Sequence, residues 1–393
     1  MKYNFDEIVE RRNTNCEKYD KCEAIFGTDD LLPLWVADMD FKVAEPILNV
    51  LRTRTEHQIF GYTFQGESYF ESIINWQKRR NRWTIKKEWI KHCPGVVPGL
   101  NFAVQTLTNE GDKVVIMPPV YSPFFTAATE NNRILVENNL KHDGLDYFID
   151  YDDLNEKLKD AAMLIFCNPH NPVGRVWRRD ELEKVAELCI KHKTVIVSDE
   201  VHSDLIFAPH KHIPIATLSP EIDDLCLTFF APSKTFNIAG FATAVAVASN
   251  ENIRNAFWSI IKRLHLTDGN ISGTVALEAA YNYGEEWLEQ MLEYISENAK
   301  AVVDFFEKNI PSIKTKHPES TFLQWIDFSA LNLTQNELVN FLIKDAKVGL
   351  NDGASFSKTE GTGFMRLNIA CSRYIITEAL NRILAAYNNL QLR

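Results

Sequence analysis

Between residues 113 and 248 short apolar runs alternate strictly with helix-patterned segments, and this alternation narrows the fold further than anything else in the chain. Residues 113–117, 134–136, 163–166, 194–197, 225–230 and 244–248 are short, apolar and closed by turn residues, which is the pattern of buried strands. Residues 121–129, 152–158 and 180–192 carry helical spacing between them. Strands alternating with helices predict an α/β fold: a mostly parallel, seven-stranded-type sheet sandwiched by helices. Ligands of such folds gather beyond the carboxyl ends of the strands.

Three successive strand ends bring polar groups to that rim. Residues 163–166 run into Cys167-Asn168-Pro169-His170-Asn171-Pro172-Val173-Gly174, and 194–197 into Ser198-Asp199-Glu200-Val201-His202. Residues 225–230 lead to Ser233-Lys234-Thr235-Phe236-Asn237-Ile238-Ala239-Gly240. An amide, a carboxylate and an amine thus converge. Lysines are mostly solvated, so Lys234 on a loop beside core elements needs a reason. An amine held there has its pKa lowered and becomes a nucleophile toward carbonyls. Competing structural roles exist for its neighbours: Asp199 could cap a helix and Asn171 could serve a turn. Upstream, Gly95-Val96-Val97-Pro98-Gly99 opens a helix over 100–107, a place where backbone N–H groups can converge on an anion.

The remainder divides in two. Residues 1–48 are expected to form an N-terminal arm and part of a small domain, 49–285 a large ligand-binding domain, and 286–393 the rest of the small α+β domain. In the last, 321–328 and 364–370 read as strands, 335–345 and 374–390 as helices. Residues 251–308 read as almost all helical. No Pro/Gly/Ser linker separates the parts, so they should pack tightly.

Net charge is −11, and no basic run exceeds Lys78-Arg79-Arg80, which argues against nucleic acid and anionic membranes as partners. No apolar run reaches membrane-spanning length, and the acidic first ten residues lack the core of a signal peptide, so a cytoplasmic protein is expected. The seven cysteines form no C-x-x-C pair, and His202, His210 and His212 lack ligand spacing, so neither a disulfide framework nor a metal is expected.

Five segments, in order, carry a family resemblance. They are Trp35-Val36-Ala37-Asp38-Met39-Asp40-Phe41, Asn168 to Gly174, Ser198-Asp199-Glu200-Val201-His202-Ser203-Asp204, Ser233 to Gly240, and Arg366-Leu367-Asn368-Ile369-Ala370. The chain resembles fold-type-I pyridoxal-phosphate enzymes, the aspartate aminotransferase superfamily, and within it the MalY/PatB group of cystathionine and cysteine-S-conjugate β-lyases. The resemblance implies pyridoxal 5′-phosphate as cofactor, with Lys234, Asp199 and Tyr121 as catalytic residues. Lys234 would bond the cofactor's aldehyde and move the Cα proton, Asp199 would pair with the pyridine N–H, and Tyr121 would stack on the ring. Asn171, His202, Ser233 and the N–H groups of Val96 and Val97 would complete the cofactor contacts. Arg366 would grip the substrate carboxylate, Trp35, Ala37 and Asp38 would line the substrate side, and Tyr62 would reach the neighbouring site of a homodimer. Arg373 is the competing arginine.

Two departures from the aminotransferase pattern lean toward elimination: Ala231-Pro232 precedes Ser233-Lys234 in place of a hydroxyl-bearing run, and position 242 is alanine in place of arginine. The implied activity is α,β-elimination of an amino-acid substrate, cystathionine or a related cysteine S-conjugate, to thiol, pyruvate and ammonia. An aminotransferase, or a moonlighting regulatory protein on the same fold, are the alternatives.

Overall fold

The structure, a computed structural model, describes residues 2–392. Among these, seven strands form the large sheet: β1 (Ile90–Cys93), β2 (Lys113–Ile116), β3 (Ile134–Glu137), β4 (Ala161–Cys167), β5 (Val195–Asp199), β6 (Cys226–Phe230) and β7 (Ala244–Val247). Their order is β1-β7-β6-β5-β4-β2-β3, and β7 alone runs against its neighbours. β4 and β6 are apolar and buried along nearly their whole length because helices cover both faces of the sheet. The two faces feed separate cores: Leu164, Ile196 and Phe230 point into one, Met163, Ile165, Val197 and Phe229 into the other.

The first of these cores runs on without a break into a second sheet. There β8 (Lys314–Thr315), β9 (Leu323–Asp327), β10 (Asn351–Asp352) and β11 (Phe364–Asn368) pair antiparallel in the order β8-β9-β11-β10. Leu323, Ile326 and Leu367 belong to the same apolar cluster as Leu164 and Ile196. The chain start joins here too, with Leu32–Pro33 pairing parallel to Val348–Gly349. The predominantly parallel α/β architecture matches the sequence expectation.

Elements outside the expectation have physical causes. β1 reads Ile-Lys-His-Cys, an edge strand whose polar residues break the apolar signal. A hairpin of Lys141–Asp143 and Asp146–Phe148, turned at Gly144 with φ +63°, is mostly exposed and so carries no burial pattern. The helix over 335–345 begins as Gln335–Asn340 and widens into a π turn, Phe341–Asp345. Residues 251–308 resolve into Glu251–Arg263, Ile271–Tyr283 and Glu285–Asn309. No helix among the described residues is long and apolar enough to cross a membrane.

The helix Val96–Leu107 lies directly on the sheet because position 99 has no side chain. A Cβ on Gly99 would meet the Phe229 ring at 2.6 Å and Cys93 Sγ at 3.0 Å. Gly99→Ala should therefore destabilise the protein by about 1–3 kcal/mol despite alanine's better helix propensity, read as a lower melting temperature.

Candidate active site

Beyond the carboxyl ends of β4, β5 and β6 lies a cavity of about 230 Å³. Its wall includes Ala37, Val96, Val97, Tyr121, Asn171, Asp199, His202, Ser233 and Lys234. Segments far apart in sequence supply them.

Lys234 follows β6 by four residues. It sits within a one-turn helix, Pro232–Thr235, where a loop was expected. Proline at the first helical position is pre-set for that turn, and Ala231 before it is extended. The Lys234 amine donates a 2.6 Å hydrogen bond to the Ala37 carbonyl. Burial and the nearby Arg366 guanidinium push its pKa down to about 8, against the pull of Asp38 and Asp199. A neutral, nucleophilic amine is thus accessible near physiological pH.

Asp199 is the last residue of β5, and its carboxylate accepts the Val201 N–H at 3.1 Å. Turns follow and no helix starts there, so the alternative role as a helix cap does not apply. Burial raises its pKa to about 7, and Glu200 adds to this while the Val201 N–H and Lys234 oppose it. Among the described residues no cation forms an ion pair with it. His202, next along, is pushed down to about 3 by burial, with Lys234 and Arg366 acting in the same direction, so its imidazole is neutral.

Arg366 comes from β11 of the second sheet and is almost fully buried. Nη1 donates to Asn171 Oδ1 and Nη2 to the Trp35 carbonyl, both at 3.1 Å, and the guanidinium carbon stands 4.7 Å from the Phe356 ring centre. Burial lowers its pKa to about 10, which leaves it charged at neutral pH. Arg373, the competing arginine, instead starts the last helix and bonds Glu297 and Asn298.

Other positions named from the sequence are placed differently. The Asp38 carboxylate is engaged by Arg11 and Lys18, and the Trp35 indole N–H donates to the Lys18 carbonyl. Trp35 reaches the site's neighbourhood through its carbonyl, which Arg366 bonds, and Asp38 through its charge, which acts on Lys234. Tyr62 is fully exposed and outside the cavity wall. Sequence reading missed Phe356 beneath Arg366, and Asn237, which bonds the backbone of Met39 and Phe41. No local pattern marks Phe356. Asn237 stood within a quoted motif, and its positive φ of 56° is typical of asparagine.

These residues suit a pyridine ring carrying a phosphate. Asp199 is a buried carboxylate lacking a cationic partner, which an N–H of a protonated ring would supply. His202 Nδ1 and Arg366 Nε are buried without hydrogen-bond partners. Val96 and Val97 begin a twelve-residue helix after Gly95, so their N–H groups have no carbonyl within the helix and face the cavity from its positive end. Among the described residues no three His, Cys, Asp or Glu side chains are grouped to hold a metal ion.

The sequence profile of the class I and II aminotransferases matches residues 41–383. The chain belongs to that family. Cystathionine beta-lyase PatB of Bacillus subtilis (strain 168) is 41% identical over 385 residues, 98% of this chain and 99% of that protein. Among solved structures, a PLP-bound protein of Clostridium difficile 630, described provisionally as an aminotransferase, superposes with a TM-score of 0.96 at 45% identity, covering 98% and 100% of the two chains. The PLP-bound C-S lyase from Staphylococcus hominis gives 0.92 at 34% identity, covering 98% of each.

The Asp199 carboxylate gives a testable linkage. Its folded-state pKa lies above the unfolded value, so folding takes up a proton between about pH 4 and 7, and stability falls as pH rises through that window. In the cofactor-free protein Asp199→Asn removes the buried charge. The variant should melt higher than the parent at pH 8, and the difference should vanish near pH 4, where both side chains are neutral. Parallel melting curves across this pH range would refute the burial argument.

Proposed function

We propose that the protein is a pyridoxal-phosphate-dependent carbon–sulfur β-lyase that cleaves cystathionine or a related cysteine S-conjugate, with water, to thiol, pyruvate and ammonia. One observation carries the reading: an amine and an unpaired carboxylate share one cavity, with a buried arginine bonded to Asn171 of its wall, in a chain 41% identical to a cystathionine beta-lyase along almost its full length. When bound, the cofactor supplies the electron sink that makes a Cα proton removable.

The chain's own residues do the rest. Arg366 presents a planar donor fork to the α-carboxylate and so fixes the Cα–H bond relative to the Lys234 amine. Lys234 Nζ, deprotonated near pH 8, takes up the Cα proton. Asp199 would pair with the N–H of the cofactor's ring and keep that nitrogen protonated. The Val96 and Val97 N–H groups with Ser233 Oγ would hold the phosphate. Asn171 accepts from Arg366 and would add a contact to the cofactor. Tyr121 would stack on the ring, and His202, neutral, borders the same wall. Ala242 leaves the phosphate one arginine fewer than the aminotransferase pattern, which favours a lyase.

A homodimer fits the surface. Residues 58–66 have no regular structure and carry Ile59, Phe60, Tyr62 and Phe64 exposed, an apolar patch suited to a second copy. Tyr62 would cross to the partner's phosphate. A cytoplasmic setting suits seven free cysteines, six of them buried.

Two experiments test the reading. Purified protein with cystathionine and pyridoxal phosphate should release pyruvate and thiol in equal amounts, and Lys234→Ala should lose at least about a thousandfold in rate while remaining folded. Passage of the amino group to a 2-oxo acid without pyruvate would overturn it. Sedimentation should show a two-chain particle, and Tyr62→Ala should weaken cofactor binding while leaving the fold intact.

A further inference from the structure

Residues 35–41 form a strap that crosses from the second sheet to the first, and its backbone is bonded on both sides. From β11, Asn368 Nδ2 donates to the carbonyls of Val36 and Asp38, both at 2.6 Å, and Arg366 donates to that of Trp35. From the other side, Asn237 accepts the Met39 N–H and donates to the Met39 and Phe41 carbonyls, while Lys234 donates to Ala37.

A cluster of charges fixes the strap's outer edge, and the proposed chemistry uses none of them. Lys18 has no accessible surface. Its amine donates to the Asp38 carbonyl at 3.2 Å and to Asp40 Oδ1 at 3.1 Å, and stands 3.2 Å from Asp38 Oδ1. Arg11 bonds the same two carboxylates, each at 2.6 Å, and Tyr19 Oη donates to Asp40 Oδ2 at 3.2 Å. The Lys18 carbonyl accepts the Trp35 indole N–H at 3.0 Å. Lys18 therefore touches the strap at three residues.

Stability does not explain a lysine in this place. Replacing a whole buried ion cluster with apolar groups of similar volume is often neutral or stabilising; removing one member is costly only where it leaves a charge unpaired, and here Arg11 still bonds both carboxylates. What an apolar side chain could not do is fix the rotation of the strap, since packing is non-directional and hydrogen bonds are directional. That rotation decides where the Ala37 carbonyl points.

We propose that Lys18 is a positioning residue: with Arg11 it holds Asp38 and Asp40, and through them it sets where the Ala37 carbonyl meets the Lys234 amine. What Lys234 does there rests on the lyase reading; where the strap lies does not. Ala37 is the amine's hydrogen-bond acceptor, whereas Arg366 keeps Asn171 and the Phe356 ring even without Trp35. A drifting strap should misplace the amine and leave the arginine held, so the loss falls on kcat and spares KM.

The test compares holoenzyme of the parent, Lys18→Met, Lys18→Arg and Asp40→Asn, by steady-state kinetics with cystathionine, melting temperature and deuterium uptake of the peptide covering 35–41. Lys18→Met should lower kcat at least about tenfold with KM within about threefold, and should speed deuterium uptake in the strap while the melting temperature stays within a few degrees. Lys18→Arg, which keeps a cation at the carboxylates, should recover most of the rate. Asp40→Asn, a milder change, should show the Lys18→Met pattern even if that variant does not fold. Unchanged uptake in 35–41, or a loss confined to KM, overturns the proposal. A parent protein without lyase activity would count against the functional reading alone, because the uptake comparison decides the strap's dependence on Lys18 by itself.

Discussion

Three buried ionisable groups stand in and beside one cavity, Lys234 and Asp199 on its wall and Arg366 bonded to Asn171 of that wall, and the rest of the molecule follows from the need to hold them there. Lys234 is pushed toward its neutral form and Asp199 toward its protonated form by the same desolvation, while Arg366 stays charged and works against the amine. Such an arrangement is unstable in itself: it trades folding free energy for reactivity. The surrounding scaffold supplies what it lacks. The sheet fixes Asp199 at the end of β5 and Lys234 one turn beyond β6. The second sheet delivers Arg366 from β11. A continuous apolar core joins the two sheets, so these distances are set by packed side chains and not by loops.

The strap over 35–41 shows how that packing is made directional. Its carbonyls receive hydrogen bonds from Lys234, Asn237, Arg366 and Asn368, four side chains drawn from both sheets. Apolar contact would tolerate sliding at this junction. N–H donors resist it, because their hydrogen bonds weaken steeply once the N–H···O angle bends.

Much of this was legible in the sequence for a simple reason: strands of a parallel sheet buried on both faces are short apolar runs, and functional loops follow their carboxyl ends. Lys234, Asp199 and Asn171 could thus be assigned to one rim. Arg366 could not be placed there by periodicity, since it comes from another sheet nearly two hundred residues beyond Asn171, and only family resemblance pointed to it. Phe356 and Lys18 left no local signal, because a ring beneath a guanidinium and a lysine between two carboxylates are defined by tertiary contacts. β1 was hidden by its Lys-His pair, and the one-turn helix at Lys234 by its brevity. Asp38 was expected to line the substrate side, and nothing in the sequence marked that Arg11 and Lys18 would engage its carboxylate.

The two ends of the Arg366 fork are already occupied, one by the Asn171 amide oxygen and one by the Trp35 carbonyl. A group that takes over these two N–H bonds must exchange for neutral acceptors that are prearranged and cost no ordering. A neutral amide gains nothing by such an exchange, whereas a carboxylate replaces uncharged bonds with charge-assisted ones of roughly twice the strength. At these two positions the arginine therefore favours a charged carboxylate over a neutral amide.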